Sequence, residues 1–232
     1  MPIFQLNDKI QFPPPEYAED NGLLAVGGDL RPERLLLAYS QGIFPWYSPG
    51  DPILWWFTSP RLVLFPEEFK IPKRLARYAK TTSVALTRDR DFSRVISECA
   101  KIRTEQGCET WISPEMQQAY TALHQLGFAH SIECRQDNIL VGGLYGVALD
   151  RVFFGESMFS RTKCASQFAL IALVEYAKSK NFQLIDCQMT TKHLLRFGAR
   201  EISGREFQTH LKRYIKNIIP STDWKNESDK EK

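Results

Sequence analysis

Two carboxylates stand in the most apolar strand-like stretches of this 232-residue chain: Glu156 in FFGESMFS and Asp186 in LIDCQ. An unpaired buried ion costs several kcal/mol even after relaxation. Glu156 must therefore face solvent, hold a cationic partner in the chain, or meet a partner that arrives as a ligand. On a strand, alternate residues share a face, which puts Asp186 and Gln188 on one side and Cys187 on the other. A carboxylate and an amide two residues apart on an apolar strand need partners. Either the strand end emerges into solvent or both groups point into a pocket. The same anomaly in two strands favours one shared pocket, where such groups could orient or accept a proton.

Other chemistries find less support. A Cys–His nucleophilic pair can be drawn with Cys187 or Cys164, but nothing fixes its geometry. The four histidines, His124, His130, His193 and His210, show no metal spacing. The five cysteines are odd in number and hold no C-x-x-C pair, which argues against a zinc site or a disulfide scaffold and for a reducing cytosol. No metal is expected.

Charge is unevenly spread. Residues 70–103 hold ten basic and three acidic side chains, and such clustering suggests a polyanion. In IPKRLARYAK a helical stripe carries Lys73, Arg77 and Lys80, with Arg74 beside it and Leu75 and Tyr78 opposite. The face lacks acidic partners four residues on. It is either a solvated surface or a phosphate-backbone site. Trp55 and Trp56 lie within a strand and are expected to be buried. Trp46 and Trp111 could stack bases or fill the core, and Trp46, in a turn-rich segment, is the better candidate for a pocket wall.

No apolar run approaches the roughly 18 residues that span a bilayer, and no secretory leader is visible. No membrane partner is expected, and a cytoplasmic location is. The first sixty residues are rich in turn formers, with one helix from Pro32 to Gln41, and a domain boundary is placed near residue 62. Residues 1–62 would form a small N-terminal domain packed firmly on residues 63–232. Helices open at Pro72, before Phe92, at Ser113-Pro114, at Ala165 and at the Ser203-x-x-Glu206 capping box. Between them AHSIECR, ILVGGLYGVAL and RVFFGES read as three antiparallel strands, and FQLIDCQ as another. The order predicts an α+β fold with a mixed, mostly antiparallel sheet flanked by helices. Residues 220–232 are polar and expected to be disordered.

The stretches NGLLAVGGDL, GIFPWYSPGDPILWW, TWISPEM, HSIE, LVGGLYGVA, FFGESMFSR, ASQFAL and LIDCQ resemble, in order, the leucyl/phenylalanyl-tRNA–protein transferases. The likeness covers about residues 4–215. It implies a C-terminal domain similar to Gcn5-type N-acetyltransferases and a reaction needing no cofactor. The implied partners are aminoacyl-tRNA charged with Leu, Phe or Met, and proteins beginning with Lys or Arg. Transfer to their α-amine would mark them for degradation by the N-end rule, and a monomer is expected. The resemblance puts Asp186 and Gln188 at the reaction centre, Glu156 opposite a substrate cation, and Trp46 and Trp111 around the aminoacyl-adenosine. Leu144, Phe153, Met158, Leu170, Leu173 and Ile185 would hold the donor side chain, with Leu173 and Ala177 making the wall less bulky than the family suggests. Two other readings stand beside this one. An acetyl-CoA-dependent N-acetyltransferase would need a glycine-rich loop after FFGESMFS, where RTKCAS stands instead. A non-catalytic tRNA or N-terminus binding module fits poorly with intact GES and DCQ.

Overall fold

The computed structural model describes residues 3–105, 107, 109–221, 223 and 224. The elements are β1 (Phe4–Leu6), β2 (Leu23–Gly27), α1 (Pro32–Ser40), β3 (Phe44–Pro45), β4 (Leu54–Trp56), β5 (Arg61–Leu64), α2 (Lys73–Ala79), β6 (Ala85–Arg88) and α3 (Phe92–Glu105). There follow α4 (Pro114–Gln125), β7 (Ala129–Gln136), β8 (Ile139–Leu149), β9 (Val152–Ser160), α5 (Ala165–Ser179), β10 (Leu184–Gln188), α6 (Lys192–Leu195), β11 (Arg200–Ile202) and α7 (Gly204–Tyr214). Local chemistry sets several of these ends. Ser113 Oγ accepts from the Met116 amide with Pro114 in the first turn, and Ser203 Oγ accepts from the Glu206 amide. Each satisfies an amide that the first helical turn would leave unpaired.

The strands form two sheets, β1-β2-β4-β3 and β11-β5-β10-β9-β8-β7-β6. In the larger sheet only β9 and β10 run parallel, so it is mixed and mostly antiparallel as expected. Its two faces are buried by different layers. Tyr145, Val147, Val152 and Phe154 join α3, α4 and the N-terminal elements in one core. Leu144, Ala148, Phe153 and Ile185 join α5 in the other. Leu24, Tyr39 and Trp55 share the first core with Tyr120 and Phe154, so the small sheet packs on the large one through one common core. A boundary at residue 62 falls inside β5, an inner strand of the larger sheet.

The tail departs from its expected disorder at its described residues. The Ser221 amide donates to the Gly127 carbonyl at 2.8 Å, the Asp223 carbonyl accepts from Tyr176 Oη at 3.3 Å, and Trp224 is seated in the core. Trp224 is 1% exposed and stacks on His130 at 4.3 Å and beside Tyr176 at 4.4 Å. One aromatic ring with a waiting slot outweighs its polar neighbours. The rest of that expectation, at 222 and 225–232, lies outside the described residues. Among those described, no helix is long and apolar enough to cross a membrane.

Candidate active site

The site lies where two parallel strands part. β10 and β9 pair through Leu184 and Val152, Ile185 and Phe153, Asp186 and Phe154, and no further. Beyond Phe154, β9 pairs only with β8. β10 turns away at a register shift between Asp186 and Gln188, and Gln188 takes a left-handed backbone with φ 59°. The strict alternation expected for QLIDCQ therefore fails at its last residue.

β9 bends as well. Tyr145 pairs with Ser157 and Gly146 with Gly155, which leaves Glu156 as the extra residue of a β-bulge. A bulge re-aims a side chain and twists its strand, and here it frees Glu156 from both faces. Gly146 permits it: a Cβ there would sit 2.1 Å from the Phe154 carbonyl oxygen.

The wedge between the parted strands is a cavity of about 320 Å³, large enough for a small ligand or part of a larger one. Glu156, Asp186 and Gln188 line it together with Trp46, Trp111, Leu144, Phe153, Met158, Leu170, Leu173 and Ile185. Ala177 is buried in the α5 core instead. Of the tryptophans, Trp55 is fully buried, Trp56 half-buried, and Trp46 38% exposed at the cavity.

The chain's own cation goes to Asp186. Arg61 donates from Nε to Asp186 Oδ1 at 2.8 Å and from Nη2 to Oδ2 at 2.6 Å, with both side chains buried. The guanidinium lies over Phe44 at 4.8 Å and Phe207 at 4.7 Å. Asp186 Oδ1 also accepts the Gln188 backbone N–H at 2.9 Å, which pins the left-handed turn.

Glu156 has neutral partners instead. Oε1 accepts from Tyr39 Oη at 2.8 Å and Gln188 Nε2 at 3.0 Å, and Oε2 accepts from Tyr120 Oη at 3.0 Å. The two phenols also touch each other. Two phenolic protons thus serve three oxygen–oxygen contacts, and a proton on one Glu156 oxygen would let each of the three groups (carboxyl, Tyr39 and Tyr120) donate once and accept once within the ring. Burial lifts the Glu156 pKa to about 7 against the lowering pull of the tyrosine hydrogen bonds. Burial pushes both phenols well above their ordinary 10, so they stay protonated. Neither tyrosine carried a local signal, because only the fold brings them to Glu156.

The sequence around this site matches that of a family with a known reaction. A family model for leucyl/phenylalanyl-tRNA protein transferase matches residues 63–212, and its N-terminal-domain model matches residues 28–59. The leucyl/phenylalanyl-tRNA–protein transferase of Desulfotalea psychrophila is 58% identical over 97% of this chain and 99% of its own length. That of Syntrophobacter fumaroxidans is 54% identical over 98% and 97%.

The chain belongs to the leucyl/phenylalanyl-tRNA–protein transferase family.

As such it is an aminoacyltransferase acting with aminoacyl-tRNA and protein substrates. Solved structures similar to it include a predicted acetyltransferase with acetyl-CoA from Clostridium acetobutylicum. That chain is 15% identical over 62% of this chain and 95% of its own, with a TM-score of 0.39. L-PGS from Bacillus licheniformis aligns with a TM-score of 0.42, 9% identical over 73% of this chain and 53% of its own. These likenesses are too loose to carry acetyl-CoA chemistry over.

Around the start of α5, where a CoA pyrophosphate would need free amides, the chain uses its own groups. Ser160 Oγ accepts the Ser166 amide at 2.8 Å, and Arg161 is engaged by Glu98 and Glu105. Lys73, Arg74, Arg77 and Lys80 are exposed outside the cavity, and none has an ion-pair partner among the described residues. Leu75 is buried and Tyr78 stacks on Phe168, so the helix presents its basic stripe outward.

One cluster was invisible in the spacing of histidines. Ligand atoms of Asp89, His124 and His130 come within 4.8 Å of one another. The chain already occupies them. His130 Nδ1 lies 2.7 Å from Asp89 Oδ2, His124 Nδ1 lies 2.8 Å from the Ala129 carbonyl, and Asp89 Oδ1 accepts the Ser131 amide. This group anchors the His130 ring under Trp224.

Proposed function

We propose that the cavity catalyses aminolysis of an aminoacyl-tRNA ester. Leucine, phenylalanine or methionine would pass to the α-amine of a protein beginning with Lys or Arg, marking that protein for degradation by the N-end rule. The observation that carries this reading is the pairing of Glu156 with Gln188 beside an apolar cavity, in a chain of this family. The donor side chain occupies the end lined by Leu144, Phe153, Met158, Leu170, Leu173 and Ile185. Such a wall separates Leu from a shorter side chain by only about 1–3 kcal/mol per methylene. Trp46 and Trp111 enclose the adenosine.

The amine nitrogen attacks the ester carbonyl, the carbon–nitrogen bond forms, and the carbon–oxygen bond to the ribose breaks. The amine's proton ends on the released ribose hydroxyl, so the reaction is balanced without a metal or cofactor. Gln188 Nε2 is committed to Glu156, and its Oε1 has no donor among the described residues. That oxygen receives an N–H of the attacking amine. Glu156, with a pKa of about 7, is close to an α-amine of about 7.7–8.0 and can hold the proton in passing. Asp186 is saturated by Arg61 and the Gln188 amide, so it acts by positioning Gln188.

Purified protein incubated with labelled leucyl-tRNA and a peptide starting with Arg tests the reading. An elongated peptide supports it. Donor binding without product would leave only a binding module.

The exposed stripe of α2 and Lys80 meets tRNA phosphates in this reading. Replacing Lys73 and Arg77 by Ala should flatten the slope of log affinity against log salt by about 1.4–1.8, the release expected for two phosphate contacts. An unchanged slope in filter binding makes the stripe a solvated face.

Glu156 gives a pH signature. Its folded-state pKa is raised from 4.5 to about 7, so its contribution to stability is fully present below about 4.5 and lost as pH rises through about 7. The loss is on the order of 3 kcal/mol. Glu156→Gln removes the titration, so its melting temperature should exceed the parent's increasingly between pH 5 and 8. Its transfer rate should lose the rise with pH near 7. Parallel melting curves across that range would show instead that Glu156 does not titrate there.

A further inference from the structure

The helix α3 buries Val95, Ile96, Cys99 and Ala100 against the large sheet. Arg103 lies one turn beyond Cys99 on the same side, and it lines the cavity. Its acidic neighbours are taken. Arg161 Nη2 lies 2.8 Å from Glu98, Arg161 also holds Glu105, and Lys101 lies 3.7 Å from Glu98. Arg103 is left half-buried with no carboxylate partner among the described residues.

Two hydroxyls of residues that line the same cavity are also without partners. Tyr145 and Ser157 face each other across β8 and β9, and both line the cavity. Tyr145 Oη and Ser157 Oγ are buried and have no hydrogen-bond partner among the described residues. The Cys99 thiol, pushed up to about 12 by burial, is neutral and a weak partner at best. Leaving a buried hydroxyl unpaired is costly, and two such hydroxyls with a guanidinium that lacks a carboxylate amount to a set of donors short of a good acceptor. The chemistry that satisfies such a set is an anion with several oxygens, and a phosphate fits the planar guanidinium fork.

Position narrows the source of that phosphate. Leu144, Met158 and Phe153 belong to the α5 side of the sheet, whereas Tyr145 and Ser157 belong to the α3 side. The cavity reaches both because β9 and β10 part. Tyr145 packs edge-on to Tyr120 at 5.6 Å, so this corner is one ring removed from the partners of Glu156. A donor with its side chain on the α5 side and its ester at Glu156 sends its nucleotide toward the α3 side.

We propose that Arg103, Tyr145 and Ser157 form an anion subsite for the phosphodiester on the 5′ side of the donor's terminal adenosine. This rests on the cavity taking an aminoacyl-adenosine. The bland alternative is that Arg103 merely complements the negative end of the α3 dipole, which would make it indifferent to the nucleotide.

The probe is a stable amide analogue of 3′-leucyl-adenosine, prepared with a 5′-hydroxyl or a 5′-phosphate. Calorimetry on the parent protein should show the phosphate tightening binding about tenfold or more. Arg103→Gln should abolish that increment and leave the 5′-hydroxyl analogue unchanged, and Ser157→Ala should shrink it. Thermal melts confirm folded variants. Equal affinity for the two analogues in the parent, an increment retained in Arg103→Gln, or binding of neither overturns the subsite. Transfer from leucyl-tRNA by the parent is measured alongside. Transfer without a phosphate increment removes the subsite alone. An Arg103-dependent increment without transfer leaves the subsite and removes the proposed reaction.

Discussion

Gln188→Ala is expected to slow single-turnover transfer about 10²–10³-fold, the range for losing one preorganised polar group at a reaction centre, while donor affinity changes little. Three observations set this size. Gln188 Nε2 donates to Glu156 at 3.0 Å, its backbone N–H is held by Asp186 at 2.9 Å, and its left-handed φ of 59° aims it into the cavity. Alanine carries the same Cβ, so the strained backbone is no worse in the variant than in the parent. What disappears is the amide that orders the attacking amine and orients Glu156. An interaction used chiefly as the amine attacks shows in the rate and not in ground-state binding. A variant with unchanged rate and weakened donor binding would instead make Gln188 a substrate clamp.

Legibility in the sequence followed the range of the interactions. Ser113-Pro114 and Ser203-x-x-Glu206 were readable because the capping oxygen and its amide lie three residues apart. The strands β7, β8 and β9 were readable from apolar runs broken by turn formers. Glu156 and Asp186 announced themselves as charges in apolar strands, but their partners did not. Arg61 stands 125 residues from Asp186, and Tyr39 stands 117 from Glu156. Alternation along QLIDCQ placed Asp186 and Gln188 together for an incomplete reason, since it assumes an unbroken strand and β10 breaks at Gln188. The bulge at Glu156 had a hint in Gly155, but its register depends on a partner strand. Arg103 was hidden within a basic run, where nothing local separates a cavity cation from a solvated one. Trp224 was hidden by the polar residues around it.

Arg61→Met is expected to destabilise the fold by about 3–5 kcal/mol, because it leaves Asp186 as an uncompensated buried charge. At about 2–4 °C per kcal/mol for a chain of this size, the melting temperature should fall roughly 6–20 °C. Loss of the guanidinium's contacts with Phe44 and Phe207 adds to the cost. Asp186→Leu should be destabilising in the same way, leaving the guanidinium unpaired. The double variant Arg61→Met with Asp186→Leu removes both charges together, and buried pairs replaced by apolar groups are often neutral in stability. It should therefore melt well above either single variant. Its transfer rate should stay low, because the Gln188 amide would have lost the acceptor that pins its turn. The comparison separates the two roles of Asp186. Recovery of the melting temperature alone means that Asp186 holds Gln188 for the reaction. If the rate recovers as well, Asp186 and Arg61 are a structural pair, and the chemistry belongs to Glu156 and Gln188.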